Sequence, residues 1–134
     1  MKVIVTGSEG FIGKALCRAL ERRGIVVIGI DRKNGMEAES IYRVLMMGDI
    51  SCVYHLAAQT SVFNTDHEAV ISDNIITFKS VADQCDHYGV KLVYASSSTA
   101  NPENTTSLYG ISKSFCEQYA RIYCPTATGC RLHN

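Results

Sequence analysis

Short apolar runs without alternation recur along the chain, each followed by a stretch whose apolar residues return every three or four positions. Lys2 to Thr6 is a β-branched run that ends at glycine, and Phe11 to Arg23 then carries Ile12, Ala15, Leu16, Ala19 and Leu20 at helical spacing. Gly24 closes that helix. Ile25 to Ile30 is a second apolar run of the kind expected for a parallel strand covered on both faces. Residues 32 to 35 are turn-like, and residues 36 to 47 read as helix with Ile41, Val44 and Leu45 on one face. Cys52 to Ala58 is a third buried strand. A helical region follows from about Glu68 to His87, with Val70, Ile71, Ile75, Phe78, Val81 and Ala82 recurring, then Gly89 and a strand over Lys91 to Ala95. Ser96 to Ser107 reads as loop and Leu108 to Tyr123 as helix; after the Pro125 break, Thr128 to Leu132 reads as a last strand. Strands alternating with helices, without internal repeats, predict an α/β fold with a doubly wound parallel sheet.

A chain of 134 residues is the size of one domain, so residues 1–134 are expected to form a single unit. Thirteen basic and thirteen acidic side chains cancel, with no basic stripe, which argues against nucleic acid or an anionic membrane as partner. No apolar stretch reaches membrane-spanning length, and Met1 to Val5 reads as a strand rather than a signal peptide, so a cytoplasmic protein is expected. The six cysteines (17, 52, 85, 116, 124 and 130) show neither a CxxC pair nor metal-ligand spacing and read as reduced core thiols.

The first strand-to-helix turn, Gly7-Ser8-Glu9-Gly10-Phe11-Ile12-Gly13, carries candidate chemistry. A loop that wraps a pyrophosphate needs backbone at close range, which a side chain at Gly7 or Gly10 would block. The helix that follows offers free N–H groups and a positive dipole end to the phosphates, and Gly13 would let that helix pack tightly. Glycines alone are weak evidence, since many such turns carry them for steric reasons. Here Asp31 also ends the second strand, where a ribose diol would sit, and the combination predicts a dinucleotide site. The Asp31 carboxylate favours NAD over NADP by repelling a 2′-phosphate; Arg32 and Lys33 weaken that preference, since either could pair with the phosphate.

Tyr109 and Lys113 stand four positions apart on one helix face. An ammonium near a phenol lowers its pKa, so the tyrosine could exchange a proton with a substrate hydroxyl or carbonyl while the lysine also holds the nicotinamide ribose. Ser96, Ser97 and Ser98 lie at the carboxyl end of the preceding strand, where open α/β sheets place ligands, and one of them could share the substrate oxygen.

Together these residues resemble the extended branch of the short-chain dehydrogenase/reductases, the NAD-dependent epimerase/dehydratase family that acts on nucleotide-sugars. Thr6 to Gly13 is similar to the family's TGxxGxIG turn, in which Phe11 and Ile12 join the glycines at the cofactor. Val53 to Gln59 resembles its VxHLAA strand, which implies that Leu56, Ala57 and Ala58 line the nicotinamide side. Asn74 falls where the family carries an asparagine. Val93 to Ser97 resembles the VYASS strand end, which gives Ser97 the catalytic serine position ahead of Ser98, and Tyr109-Gly110-Ile111-Ser112-Lys113 is similar to YGxSK. Arg131 to Asn134 resembles RxFN with His133 in place of phenylalanine. The resemblance implies hydride transfer with NAD, with catalytic roles for Ser97, Tyr109 and Lys113, and pairing of two copies through the helices from about Glu68 and Leu108.

The departures bear on function. Too few residues separate Asp31 from His55 for the helix, strand and second helix usual in the family, so one strand and one helix are expected to be missing. Asp49 is then the residue just ahead of the third strand and takes no adenine role. The loop from Ser97 to Tyr109 is short, and the second lobe that binds the nucleotide-sugar is expected to be absent. Three readings remain open from sequence: a nucleotide-sugar epimerase or dehydratase, a non-catalytic NAD-binding module, and a fragment with idle catalytic residues.

Overall fold

The computed structural model describes residues 1–133; Asn134, the last residue of the RxFN-like segment, lies outside the described residues. Five parallel strands form one sheet: β1 (Lys2–Thr6), β2 (Val26–Ile30), β3 (Ile50–His55), β4 (Lys91–Ser97) and β5 (Thr128–Leu132), in the order β2-β1-β3-β4-β5. The reversal of strand order beside β1 opens a crevice at the carboxyl ends of β1 and β3, the place where open α/β sheets bind ligands.

Helices cover both faces, so the sheet is doubly wound. On one face Val3, Val5 and Cys52 pack against Leu16, Cys17 and Leu20 of α1 (Phe11–Glu21). On the other, Ile4, Ile30, Val53 and Leu92 meet α2 (Tyr42–Leu45), α4 (Thr77–His87) and α5 (Leu108–Tyr123) through Leu45, Phe78, Val81, Cys116 and Ala120. The alternation of Val3 and Val5 with Ile4 is the period-two geometry of a strand buried on both sides. Between β2 and β3 the chain makes only 3₁₀ turns over Arg32–Asn34 and Ala38–Ile41 and the single turn of α2; Asp49, just ahead of β3, pairs with Lys2 at 3.0 Å, on the far side of the sheet from the crevice.

Several boundaries differ from the sequence pattern for identifiable reasons. The expected helix over 36–47 is a 3₁₀ segment running into α2. The strand expected over Cys52 to Ala58 starts at Ile50 and stops at His55, because β1 ends opposite it at Thr6 and offers no further ladder partner. Strand β4 extends through Ser96 and Ser97, which pair with Arg131 and Leu132 of β5, where the sequence suggested loop. The helix over 68–87 begins with α3 (His67–Val70) and contains a π-helical stretch, Ile71–Ile76, before α4. Within that stretch the Asn74 carbonyl accepts from the Cys116 thiol at 3.3 Å. All six cysteines are free, four of them buried; Cys130 is exposed because it lies on the edge strand β5. Among the described residues no helix is long and apolar enough to cross a membrane.

The ends of β1 and β3 are pinned by one hydroxyl. Thr6 Oγ1 accepts from the backbone N–H of Leu56 at 3.2 Å and of Ala57 at 3.3 Å, and lies 2.8 Å from Nδ1 of His55. With both lone pairs engaged, the hydroxyl has only its proton to offer, so Nδ1 accepts and the ring proton sits on Nε2. His55 is fully enclosed and tilted against Phe78; burial, reinforced by the Lys113 ammonium, pushes its pKa from 6.5 down to about 3. The unfolded chain takes up this proton near pH 6.5 and the folded chain only near 3. The contribution is therefore complete above pH 6.5 and is lost progressively as pH falls toward 3, by at most about 1.4 kcal/mol per pH unit. Urea midpoints across that interval should fall more steeply for the parent than for His55→Gln; superimposable profiles would show that this imidazole ionises freely in the folded state.

Candidate functional site

The crevice at the carboxyl ends of the strands opens into a cleft of about 820 Å³. The expected cofactor residues Gly7, Gly10, Phe11, Ile12, Gly13, Asp31, Arg32, Leu56, Ala57 and Ala58 line it, together with Ser97, Tyr109 and Lys113. Folding thus gathers onto one concavity residues drawn from four strand ends and two helices.

The glycine turn is built by close approach. Gly7 has a φ of +70°, and a Cβ there would stand 2.8 Å from Ala57 N, so this glycine is required by the fold itself before any ligand is considered. A Cβ on Gly13 would stand 2.0 Å from the Gly7 carbonyl oxygen, so the first turn of α1 rests directly on the glycine turn rather than on the sheet. Gly10 differs. Its φ of −75° is ordinary and its nearest contact would be 3.2 Å, leaving room for a ligand as the stronger reason for glycine. As N-cap of α1 it provides no side-chain acceptor, so the opening N–H groups of the helix carry no side-chain cap. Phe11, 96% exposed, stands at the cleft mouth.

Asp31 follows β2 with its carboxylate already oriented: Oδ2 accepts from Glu9 N at 3.0 Å and Oδ1 from Lys33 N at 3.0 Å. A carboxylate accepts about four hydrogen bonds, so capacity remains for a vicinal diol. Arg32 is tied down. Its Nη1 and Nη2 donate to the two oxygens of Asp73 at 2.8 and 2.7 Å, and its Nε donates to Glu37 at 2.7 Å. These bonds raise its pKa and hold the Asp73 carboxyl below the usual carboxylate range.

At the other end of the cleft, Lys113 is only 6% exposed, and its ammonium donates to the Ala95 carbonyl at 3.0 Å and lies over the Tyr109 ring, 5.7 Å from the centroid. Burial lowers the lysine pKa. The phenol departs from the sequence expectation. Its pKa is raised by burial, with the Ser97 hydroxyl opposing, because the ammonium is committed to a backbone carbonyl and sits over the ring face instead of at the phenol oxygen. The three serines separate by environment: Ser96 Oγ donates to Glu117 at 2.6 Å, Ser97 faces Tyr109 while its hydroxyl pairs with Thr99 at 2.9 Å, and Ser98 opens a 3₁₀ turn.

Asn74, which the family resemblance places without a role, and residues that sequence reasoning did not single out also shape the site. Asn74, 2% exposed in the π-helical stretch, donates through Nδ2 to the Gln59 carbonyl and to Ser112 Oγ, while its Oδ1 accepts from Gln59 N at 2.7 Å. It therefore clamps the loop after β3 to the helix bearing Tyr109. Asp73, Glu39 and Thr77 line the cleft opposite Asp31. For Asp73 the signal is the polar pair Asp73-Asn74 within an otherwise apolar helix pattern; nothing in the pattern marks Glu39 or Thr77.

This arrangement agrees with the comparisons to known proteins: the pattern of the NAD dependent epimerase/dehydratase family matches residues 3–133. The chain belongs to that family. It is similar to the UDP-glucuronic acid 4-epimerase of Bacillus cereus, solved in complex with NAD, with 25% identity and a TM-score of 0.83 over 98% of this chain and 56% of the epimerase. The dTDP-4-dehydrorhamnose reductase of Bacillus anthracis, solved with NADP, matches at 25% identity and a TM-score of 0.84 over 97% of this chain and 52% of the reductase. Protein CapI of Staphylococcus aureus is 28% identical, covering 98% of this chain and 53% of its own length. The chain thus spans about half the length of each. Family membership carries a nicotinamide dinucleotide as cofactor, and these relatives include both forms of it.

The two reasons for glycine in this turn separate by mutation. Gly13→Ala forces a carbon into the Gly7 carbonyl and should cost roughly 3 kcal/mol of stability. Gly10→Val should melt near the parent temperature yet lose dinucleotide binding in calorimetry. Retained affinity in Gly10→Val would mean that the turn serves only the fold.

Proposed function

We propose that this family member binds NAD in preference to NADP and uses it for an oxidoreductase step on a nucleotide-sugar, with Ser97, Tyr109 and Lys113 as its catalytic residues. The observation that carries this reading is the convergence of the Ser97–Tyr109–Lys113 group and the glycine turn on one cleft, with the Asp31 carboxylate at its ribose end and the neighbouring Arg32 held by Asp73. When bound, the nicotinamide supplies a hydride acceptor and donor. The chain supplies the rest: the open end of α1 meets the pyrophosphate, Asp31 accepts from the ribose hydroxyls, and Leu56, Ala57 and Ala58 form the wall beside the nicotinamide. The Tyr109 phenol passes a proton to or from the substrate oxygen, Ser97 holds that oxygen, and Lys113 donates to the nicotinamide ribose while favouring the ionised tyrosine.

In the free cleft burial raises the phenol pKa and Lys113 donates to the Ala95 carbonyl, so an ammonium placed nearer the phenol oxygen in the occupied cleft would favour the ionised tyrosine. The nucleotide-sugar as substrate class is supported by the relatives, among them an epimerase of UDP-glucuronic acid. We further place the protein in the cytoplasm, in keeping with six free thiols, and as a homodimer paired through the helices at 67–87 and 108–123. Their outer surfaces leave Ile76 at 57%, Ile111 at 53% and Ile122 at 63% exposure, which a second copy would cover. Light scattering at high concentration should report twice the chain mass; a monomer there would remove the dimer.

Calorimetry with NAD and NADP, followed by a hydride-transfer assay against a panel of nucleotide-sugars, tests the functional reading. NAD should bind more tightly, and Tyr109→Phe should leave its affinity within about threefold while lowering turnover by 10²-fold or more. NAD binding with no turnover on any substrate would replace the enzyme by a dinucleotide-binding module, and equal loss of binding and activity in Tyr109→Phe would remove the proton-transfer role.

A further inference from the structure

Resting on the dinucleotide reading above, we propose that Asp73 and Glu37, neither of which the sequence motifs include, are specificity-determining residues of the cleft. By holding Arg32 they keep it from a 2′-phosphate. Position alone would make Arg32 the natural phosphate partner: it directly follows Asp31, lines the cleft, and carries a guanidinium suited to bidentate binding of a dianion. The geometry takes that capacity away. Both terminal nitrogens face the two oxygens of Asp73, and Nε faces Glu37, so the edge that would grip phosphate is already filled by carboxylate.

Asp73 is suited to the task because it is itself fixed. It is 12% exposed, receives a further hydrogen bond from Gln59 Nε2 at 2.7 Å, and precedes the buried Asn74 that anchors the π-helical stretch. Releasing Arg32 would leave this half-enclosed carboxylate with only the Gln59 amide as partner, a loss of pairing that a phosphate on the other side must overcome. The Glu37 contact is solvent-exposed and contributes less, as surface pairs do. Charge points the same way. Asp31, Glu37, Glu39 and Asp73 line this end of the cleft with Arg32, and Lys33 follows Arg32 in the chain, so carboxylates outnumber cations there and a dianionic phosphate enters a field that repels it, whereas a neutral ribose hydroxyl does not.

The test is the ratio of NADP to NAD affinity, measured by calorimetry on the full chain. The double variant Glu37→Gln/Asp73→Asn should raise the ratio about tenfold or more, as expected when one charge-assisted bidentate contact becomes available. Adding Arg32→Ala to that background should abolish the gain. Glu37→Gln alone, at an exposed position, should move the ratio in the same direction by a smaller factor and keeps the test open if the double variant folds poorly. An unchanged ratio in these variants, with NAD still bound, overturns the assignment while leaving the dinucleotide reading intact. A gain that survives Arg32→Ala also overturns it, since Lys33 or the general field would then be responsible. Binding of neither dinucleotide by the parent chain overturns both readings together.

Discussion

The site depends on the buried meeting of β1 and β3 at Thr6. One hydroxyl accepts from two successive backbone N–H groups beyond β3 and donates to the imidazole that ends that strand. This draws the Leu56–Ala57 backbone so close to Gly7 that no side chain fits between them, and α1 in turn rests through Gly13 on the Gly7 carbonyl. The glycine turn, the start of α1 and the loop after β3 therefore form one rigid body. Its cost is a histidine that must remain neutral and an absolute requirement for glycine at two positions; its result is a cleft floor made of backbone, which a pyrophosphate can approach.

A second clamp relates that body to the helix carrying Tyr109 and Lys113. Asn74 spans from Gln59 to Ser112, using side-chain donors and acceptor together, in a stretch where the helix is locally widened. The buried asparagine lies within the π-helical stretch, and its backbone carbonyl accepts from the Cys116 thiol of the neighbouring helix. Tyr109 and Lys113 are thus positioned by a polar network beneath them, and their own environment is set by burial. In the free cleft both are held toward their neutral forms, with the phenol pKa raised and the ammonium pKa lowered. Burial therefore opposes charge on both members of the pair, and any ligand that brings compensating charge into the cleft would shift both.

The opposite end of the cleft is governed by charge. Asp31 is fixed by two backbone N–H groups from the glycine turn and its own following turn, so its orientation follows from the same rigid body. Arg32 points away into a pair of carboxylates, one of them on the helix that also bears Asn74. The residue that holds Arg32 and the residue that clamps the helix bearing Tyr109 are sequence neighbours, so substitutions at 73 and 74 act on both ends of the cleft.

Sequence by itself determined the architecture and the candidate residues of the cleft, because both are local. A period of two or of three to four residues follows from strand and helix geometry, and the spacings Gly7-Gly10-Gly13 and Tyr109-Lys113 are fixed by a turn and by one helical step. The absence of room for a further strand between Asp31 and His55 was likewise a matter of length, as was the placement of Asp49 outside the cleft. Tertiary structure alone decided where strands ended, since β3 stops and β4 continues according to what their neighbours offer as ladder partners. It decided the reason for each glycine, because the crowding at Gly7 and Gly13 comes from residues distant in the chain or one turn away in space. It also decided the sign of the Tyr109 shift and the occupation of Arg32. Each depends on burial or on a partner some forty residues away, which no pattern along the chain encodes.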